Sequence, residues 1–493
     1  MHSHPSMFSH PKENVVAGVV VFLVALPLCL GIAVACGVPP VSGLIAGIVG
    51  GLVVPLISRS ALSVTGPAAG LTSIVLVELQ QLGGIAPFLT AVMVAGLLQL
   101  ALGALRTGRF AALVPSAVIK GMLAAIGMTI VYKQLPVALG VAGGFAHIAS
   151  QWHSGPALIA AISLAILYGW KHTPLGAFRL VSPALVVVIV ASVLATLLQG
   201  SFALTGAQFV HVPLGGIGAL YLALPRPDFS VLTSPAVWMG GATIAIVASI
   251  ETLLSLQAVD RLDPLKRHSP PDRELLASGA ANLVSGFFGG LPVTTVIVRS
   301  GANVAAGARE RMSALVHGIL LLIAVLFAGA LINRIPLACL AGVLIQVGLN
   351  LCKPALFASQ AKLGITQLLP FVITIAAVLA LDLLNGVIIG IVFGVVFVLY
   401  ENTKRAVVAT RDAAGVWHLH FRRDGTFLSK PGIVSMLDEV DDGDTVIIDG
   451  ANGYVDHDVQ EVLATFIEDA HHRNISVTVV GVDLSKVTAG GGH

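Results

Sequence analysis

The chain has 493 residues, of which 56% are hydrophobic and only 11% are charged, and its mean hydropathy is +0.93. The hydropathy lies far above, and the charged fraction far below, those of soluble globular domains, which indicates an all-α polytopic membrane protein. A net charge of +2 gives no sign of a nucleic-acid partner.

Residues 1–13 are polar and carry His2, His4 and His10, which read as a solvated N-terminal segment. The apolar run 15–36 is too long for the core of a signal peptide and is expected to remain as the first span. Apolar segments follow at 14–36, 41–58, 67–80, 85–105, 111–132, 156–170 and 181–199, then at 235–258, 274–290, 292–306, 313–332, 335–352, 366–382 and 384–400. Most are long enough for a hydrocarbon core of roughly 30 Å. The count predicts 14 transmembrane segments, seven in each half, over residues 14–400.

The third and tenth segments are short, and each opens at a polar, proline-bearing break, SVTGPAAG (63–70) and GGLPVTT (289–295). The breaks occupy equivalent places in the two halves. An odd number of spans per half requires the halves to be inverted, and inverted repeats with matched broken helices indicate a secondary transporter with a midplane site. With a cytoplasmic N-terminus, sixteen Lys and Arg residues fall on the inner side. Only Lys133, Arg226 and Arg334 fall on the outer side, which places both ends of the membrane domain inside. Gly43, Gly47 and Gly51, and likewise Gly386, Gly390 and Gly394, form small-residue faces that suit helix packing. Cys29, Cys36, Cys339 and Cys352 lack metal-ligand spacing and read as packing residues.

Pro67 and Pro292 suit the first turn of a helix. The short helices are therefore expected to start there, with free N–H groups near Ala68 and Ala69 on one side and near Thr294, Thr295 and Val296 on the other. Thr65 and Gly66 stand beside the first of these. Two facing helix N-termini would make an anion site, and irregular backbone at this depth is tolerated where it lines a cavity; a simple kink is the structural alternative. Arg299, about 10 Å beyond Pro292 along a helix, is expected to face the cavity or a buried partner, or else to snorkel to the inner surface. Glu251, mid-span in IAIVASIETLLSLQ, has Ser255 one turn later. It could carry a proton, coordinate Na+ with Ser255, or pair with Arg299. Glu78 and Asp382 lie near span ends and read as interfacial, and Lys120 is left unassigned.

Charged residues return after Tyr400. Residues 401–493 predict a small cytoplasmic α/β domain, with strands at 416–421, 445–450 and 476–482 and a helix over 456–472 that buries Val459, Leu463, Phe466 and Ile467.

In their order and spacing, VTGPAAG, SIETLLS, LPVTTVIVRSGANVAAGA and IDGANGYVDHD resemble the SulP anion transporters, which include bacterial sulfate and bicarbonate carriers and the animal prestin-like proteins. The resemblance implies a 7+7 inverted repeat divided into core and gate domains, elevator-like movement, a C-terminal STAS domain and a homodimer in the bacterial inner membrane. It assigns Thr65, Gly66, Pro67 and Ala68 to one wall of the anion site and Thr294, Thr295, Val296 and Ile297 to the other, with Arg299 ending the tenth-helix motif. Glu251 matches a position that is Asp in a sodium-coupled bicarbonate carrier, which favours H+ over Na+ as the coupling ion here. His457 stands between Asp456 and Asp458, where related domains carry a phosphorylatable hydroxyl. Bicarbonate is placed ahead of sulfate on the pattern of LVALPLCLGIA and SIETLLS. An uncoupled channel, a dicarboxylate carrier and a nucleobase permease remain alternatives. No enzyme activity, metal or further cofactor is expected.

Overall fold

The computed structural model describes residues 7, 9–109, 115–141, 144–173, 182–381, 383–404, 406–422, 424–451, 454–482 and 484. His2, His4 and Asp382 lie outside them.

A helix occupies each of the expected apolar segments. The first half holds α1 (Pro11–Ala35), α2 (Pro40–Ile57), β1 (Thr65–Pro67), α3 (Thr72–Gln81), α4 (Ile85–Ala104), α5 (Ser116–Ala138), α6 (Ile148–Gln151), α7 (Ser154–Gly169) and α8 (Pro183–Leu197). The second holds α9 (Gly216–Ala223), α10 (Pro235–Leu262), α11 (Pro271–Phe287), β2 (Val293–Thr295), α12 (Ile297–Ala305), α13 (Met312–Phe327), α14 (Gly329–Ile332), α15 (Leu337–Leu351), α16 (Pro354–Lys362), α17 (Ile365–Ala380) and α18 (Leu383–Lys404). Among the described residues six helices are individually long and apolar enough to cross a membrane, or seven if the bent pair around α6 and α7 is one span. Shorter apolar stretches are Pro183–Leu197, Met312–Phe327, Ile365–Ala380 and the Leu383–Leu399 part of α18.

Small residues set the helix crossings. A Cβ on Gly51 of α2 would lie 2.6 Å from the Gly318 Cα of α13, one on Gly96 of α4 2.7 Å from the Gly279 carbonyl of α11, and one on Gly127 of α5 2.5 Å from the Gly348 carbonyl of α15. Backbones this close leave no room for a side chain, which is how helices gain contact in lipid. Gly43 and Gly47 seat α2 against Cys29 of α1 in the same way. Cys29, Cys36 and Cys339 are buried in this packing.

The chain divides into two units, Met1–Ser359 with Thr374–Ile388, and Gln360–Ile373 with Ile389–His493. The second contains a four-stranded sheet, β3 (Val407–Arg411), β4 (Trp417–Phe421), β5 (Thr445–Asp449) and β6 (Ser476–Val480), in that order. β3 and β4 are antiparallel, and β4, β5 and β6 are parallel. Helices α19 (Lys430–Asp438) and α20 (His457–His472) accompany it. Leu419, Phe421, Val446, Ile448, Val459 and Leu463 form its core. The three expected strands and the helix are present; β3 and α19 are additional, and at five and nine residues each is too short to show a clear apolar period.

Candidate functional site

The two breaks are short strands, and they pair with each other. β1 and β2 run antiparallel in the register Thr65 with Thr295, Gly66 with Thr294 and Pro67 with Val293. Local chemistry explains the extended backbone: Pro67 disfavours a helical conformation at Gly66, and the β-branched run Val293–Thr295 favours strand. Both helices therefore begin later than the prolines suggest. A single turn at Ala69–Leu71 leads into α3, with Ala68 extended before it, and Val296 caps α12. Pro67 ends its strand instead of opening a helix, and Pro292 precedes its strand.

Two three-residue strands are marginal alone, and a buried polar network holds them. Asn282 of α11 accepts from the Val293 N–H at 2.6 Å and donates to the Val293 carbonyl at 3.1 Å and to Gln99 of α4 at 2.6 Å. Gln99 in turn donates to Ser249 of α10 at 3.2 Å. The Val64 N–H donates to the Ser300 hydroxyl at 2.9 Å, and Asn303 donates to the Leu62 carbonyl at 3.0 Å. Glu274 of α11 is buried, and its carboxylate accepts from the Thr295 hydroxyl at 2.6 Å and from Ser58. Sequence reasoning passed over Gln99, Glu274 and Asn282. Amides and a carboxylate within or at the edge of apolar helices were the available signal.

A cavity of about 90 Å3 lies where the helix starts converge. Ala69, Gly70, Val296, Ile297, Val298, Arg299, Glu251 and Ser255 line it, with Leu28 and Ile32 of α1, Met122 and Ile126 of α5, and Val347 of α15 closing the apolar side. The N–H groups of Ile297, Val298 and Arg299 belong to the first turn of α12 and have no intrahelical acceptor. Of the expected residues, Val296, Ile297, Arg299, Glu251 and Ser255 reach this cavity. Thr65, Gly66, Pro67, Ala68, Thr294 and Thr295 do not line it; all but Ala68, which follows β1, belong to the strand pair behind it. Thr295 turns its hydroxyl to Glu274, which makes it a strut.

Arg299 is fully buried and does not snorkel. Its Nη2 donates to the Pro67 carbonyl at 3.1 Å, while Nε and Nη1 have no hydrogen-bond partner among the described residues. The guanidinium packs directly on the backbone of Gly66. Glu251 is partly exposed to the cavity and forms neither a hydrogen bond nor an ion pair with a described residue, so the Glu251–Arg299 pair is not made. Gly70 gives it space, since a Cβ there would fall 2.6 Å from the Glu251 Oε1. Glu78 differs from its interfacial reading: it is buried, with its carboxylate against Gly240 of α10.

Thr295→Ala is expected to lower stability by about 1–3 kcal/mol, because buried Glu274 loses a donor, and to change anion affinity far less. Paired melting and binding curves check this; an affinity loss without a fall in Tm would place Thr295 in the site itself.

A polytopic helical fold in which two interrupted helices meet start to start over a small cavity defines a membrane transporter. The family model described as Sulfate permease family matches residues 12–376, and the chain belongs to that family. The putative sulfate transporter YvdB of Bacillus subtilis (strain 168) is 27% identical over 407 residues, covering 81% of this chain and 75% of that one. The bicarbonate transporter BicA of Picosynechococcus sp. (strain ATCC 27264 / PCC 7002 / PR-6) is 26% identical over 366 residues, covering 70% of this chain and 62% of its own length. Among solved structures, the transmembrane domain of a cyanobacterium bicarbonate transporter BicA matches with a TM-score of 0.67 at 25% identity, covering 77% of this chain and 98% of that one. The structure of SLC26A9 matches with a TM-score of 0.79 at 16% identity over 97% of this chain and 86% of that one, a likeness of fold.

Proposed function

We propose that the protein is a secondary active transporter of a small inorganic anion, with bicarbonate ahead of sulfate, coupled to H+ and working by elevator-type alternating access. The carrying observation is the cavity shared by the first turns of two facing helices and by Glu251, which has no cationic partner among the described residues. Oriented N–H groups attract an anion, and an unpaired carboxylate in the same space makes its binding depend on a proton. The cavity is far smaller than the ~300 Å3 or more of sites for drug-sized ligands, which speaks against a nucleobase. One buried guanidinium and one titratable acid suit a monoanion better than a dianion. The names of relatives, sulfate transporter and bicarbonate transporter, fit this class of substrate.

The 7+7 span arrangement, the core and gate division, the cytoplasmic termini, the bacterial inner membrane and a homodimer belong to the same reading. The C-terminal sheet with α19 and α20 is read as a STAS-like domain outside the pathway. Deleting residues 406–493 is expected to lower rate or expression and to leave anion preference unchanged. A shifted preference in a correctly folded truncate would contradict that placement.

The decisive test is uptake of radiolabelled bicarbonate and sulfate into proteoliposomes, with proton and sodium gradients imposed separately. Saturable uptake driven by an inward proton gradient is expected. A requirement for Na+ at constant pH would make Glu251 and Ser255 a sodium site, and non-saturating conductance would indicate a channel.

A further inference from the structure

We propose that Lys133 centres a second, transient station for the same small anion, between the central cavity and the face opposite the N-terminus. The inference rests on the proposed anion transport.

Three cavities follow one another in space. The central cavity shares Ala69 and Ile126 with a narrow crevice, and that crevice shares Ser73, Thr129 and Lys133 with a cavity of about 740 Å3. Lys133 therefore stands on the wall of both the constriction and the larger space beyond. The crevice measures about 10 Å3, roughly room for one water, so an anion passing this way has to meet Lys133 as the walls part. The ammonium lies near the end of α5, half-buried, and makes no hydrogen bond or ion pair with a described residue. Beside it Gln134 is buried at 2% exposure and lines the crevice, and its amide has no hydrogen-bond partner among the described residues. Ser73 stands on the opposite wall at the start of α3. Thr72 and Thr129 spend their hydroxyl protons on the carbonyls of Ala69 and Ala125, which leaves the Lys133 amine, the Gln134 amide and the Ser73 hydroxyl as donors.

An unpaired, half-buried ammonium is stabilised by whatever anion enters. Glu78 is the other charged side chain among the described residues of the larger cavity, and its carboxylate is directed at Gly240. A cation at a low-dielectric constriction raises the local anion concentration and the rate of entry. Weak binding at one of two successive sites also lets the anion leave again.

The test measures uptake of radiolabelled bicarbonate and of sulfate in proteoliposomes, with substrate supplied from the face opposite the N-terminus. Lys133→Gln is expected to raise KM on that face about tenfold with kcat within about twofold, and to lose most of its salt dependence. Lys133→Arg keeps the charge and is expected to stay within about threefold of the parent KM. Unchanged KM in the Gln variant, or a fall in kcat that Arg does not rescue, would overturn the station and assign Lys133 a structural role. A transport-independent measurement separates this inference from the functional reading. Acylation of Lys133 by a membrane-impermeant reagent, followed by mass spectrometry, is expected to slow as bicarbonate or sulfate is added. If neither anion is transported the functional reading fails, and the presence or absence of that protection still decides the station.

Discussion

Replacing Glu251 by Gln is expected to abolish concentrative uptake while leaving anion binding and exchange in place. Glu251 shares its cavity with the first turn of α12 and with Ala69 and Gly70, and no described side chain pairs with it. An anion entering beside the ionised form meets like-charge repulsion at short range in a medium of low dielectric. Protonation removes that repulsion, so proton and anion favour each other by one coupling free energy, typically ~1–3 kcal/mol or roughly 5- to 150-fold in affinity. The sign follows: anion affinity rises as pH falls, and an inward proton gradient drives the anion inward. Gln resembles the protonated acid in shape and charge. The variant should therefore bind with the affinity of the low-pH parent, show no pH dependence, and equilibrate the anion without accumulating it. Counterflow and net uptake, compared at two pH values, separate these outcomes. Continued accumulation by the Gln variant under a proton gradient alone would remove Glu251 from the coupling role.

Much of the architecture is visible in the sequence because the membrane imposes a strong pattern. Apolar runs, the two matched breaks and the skewed Lys and Arg distribution are one-dimensional signals, and helices stand at every segment they predicted. The pairing of Thr65 with Thr295 has a faint trace in the equivalent positions of the two breaks, but nothing local distinguishes a strand of three residues from a helix start. Pro67 suits a helix's first turn as well as a strand's end because proline fits both conformations; the β-branched run after Pro292 tips the second break towards strand, and pairing then carries the first. The direction of side chains was least accessible. Thr295 and Arg299 both lie in the tenth-segment motif, yet one hydroxyl turns to Glu274 and the guanidinium reaches back to the Pro67 carbonyl. These contacts span 21 and 232 residues of chain, which no periodicity encodes. Gly70 illustrates the same limit: its need for a bare Cα comes from Glu251, 181 positions away by number, and not from its own backbone.

Gly66→Val is expected to be the most damaging single change at the strand pair. A Cβ at Gly66 would clash with the Nη1 of Arg299, and the nearest neighbour outside Arg299 is the Gly47 Cα at 3.6 Å, so the guanidinium has to leave its position for the side chain to fit. Arg299 is fully buried, and moving it breaks its bond to the Pro67 carbonyl and displaces a buried charge. Overpacking alone costs about 1–3 kcal/mol, and disturbing a buried, hydrogen-bonded charge adds roughly 2 kcal/mol or more. Transport is expected to vanish and the melting temperature to drop, with Gly66→Ala intermediate in both. Removing the obstacle tests the cause. In a Gly66→Ala background, Arg299→Met provides a flexible side chain that can accommodate the added methyl, and it should recover much of the lost stability. It should not recover anion binding, because the positive charge at the junction of β1 and α12 is then gone. Equal stability losses in the single and double variants would show that Gly66 is constrained by its backbone and not by the arginine packed upon it.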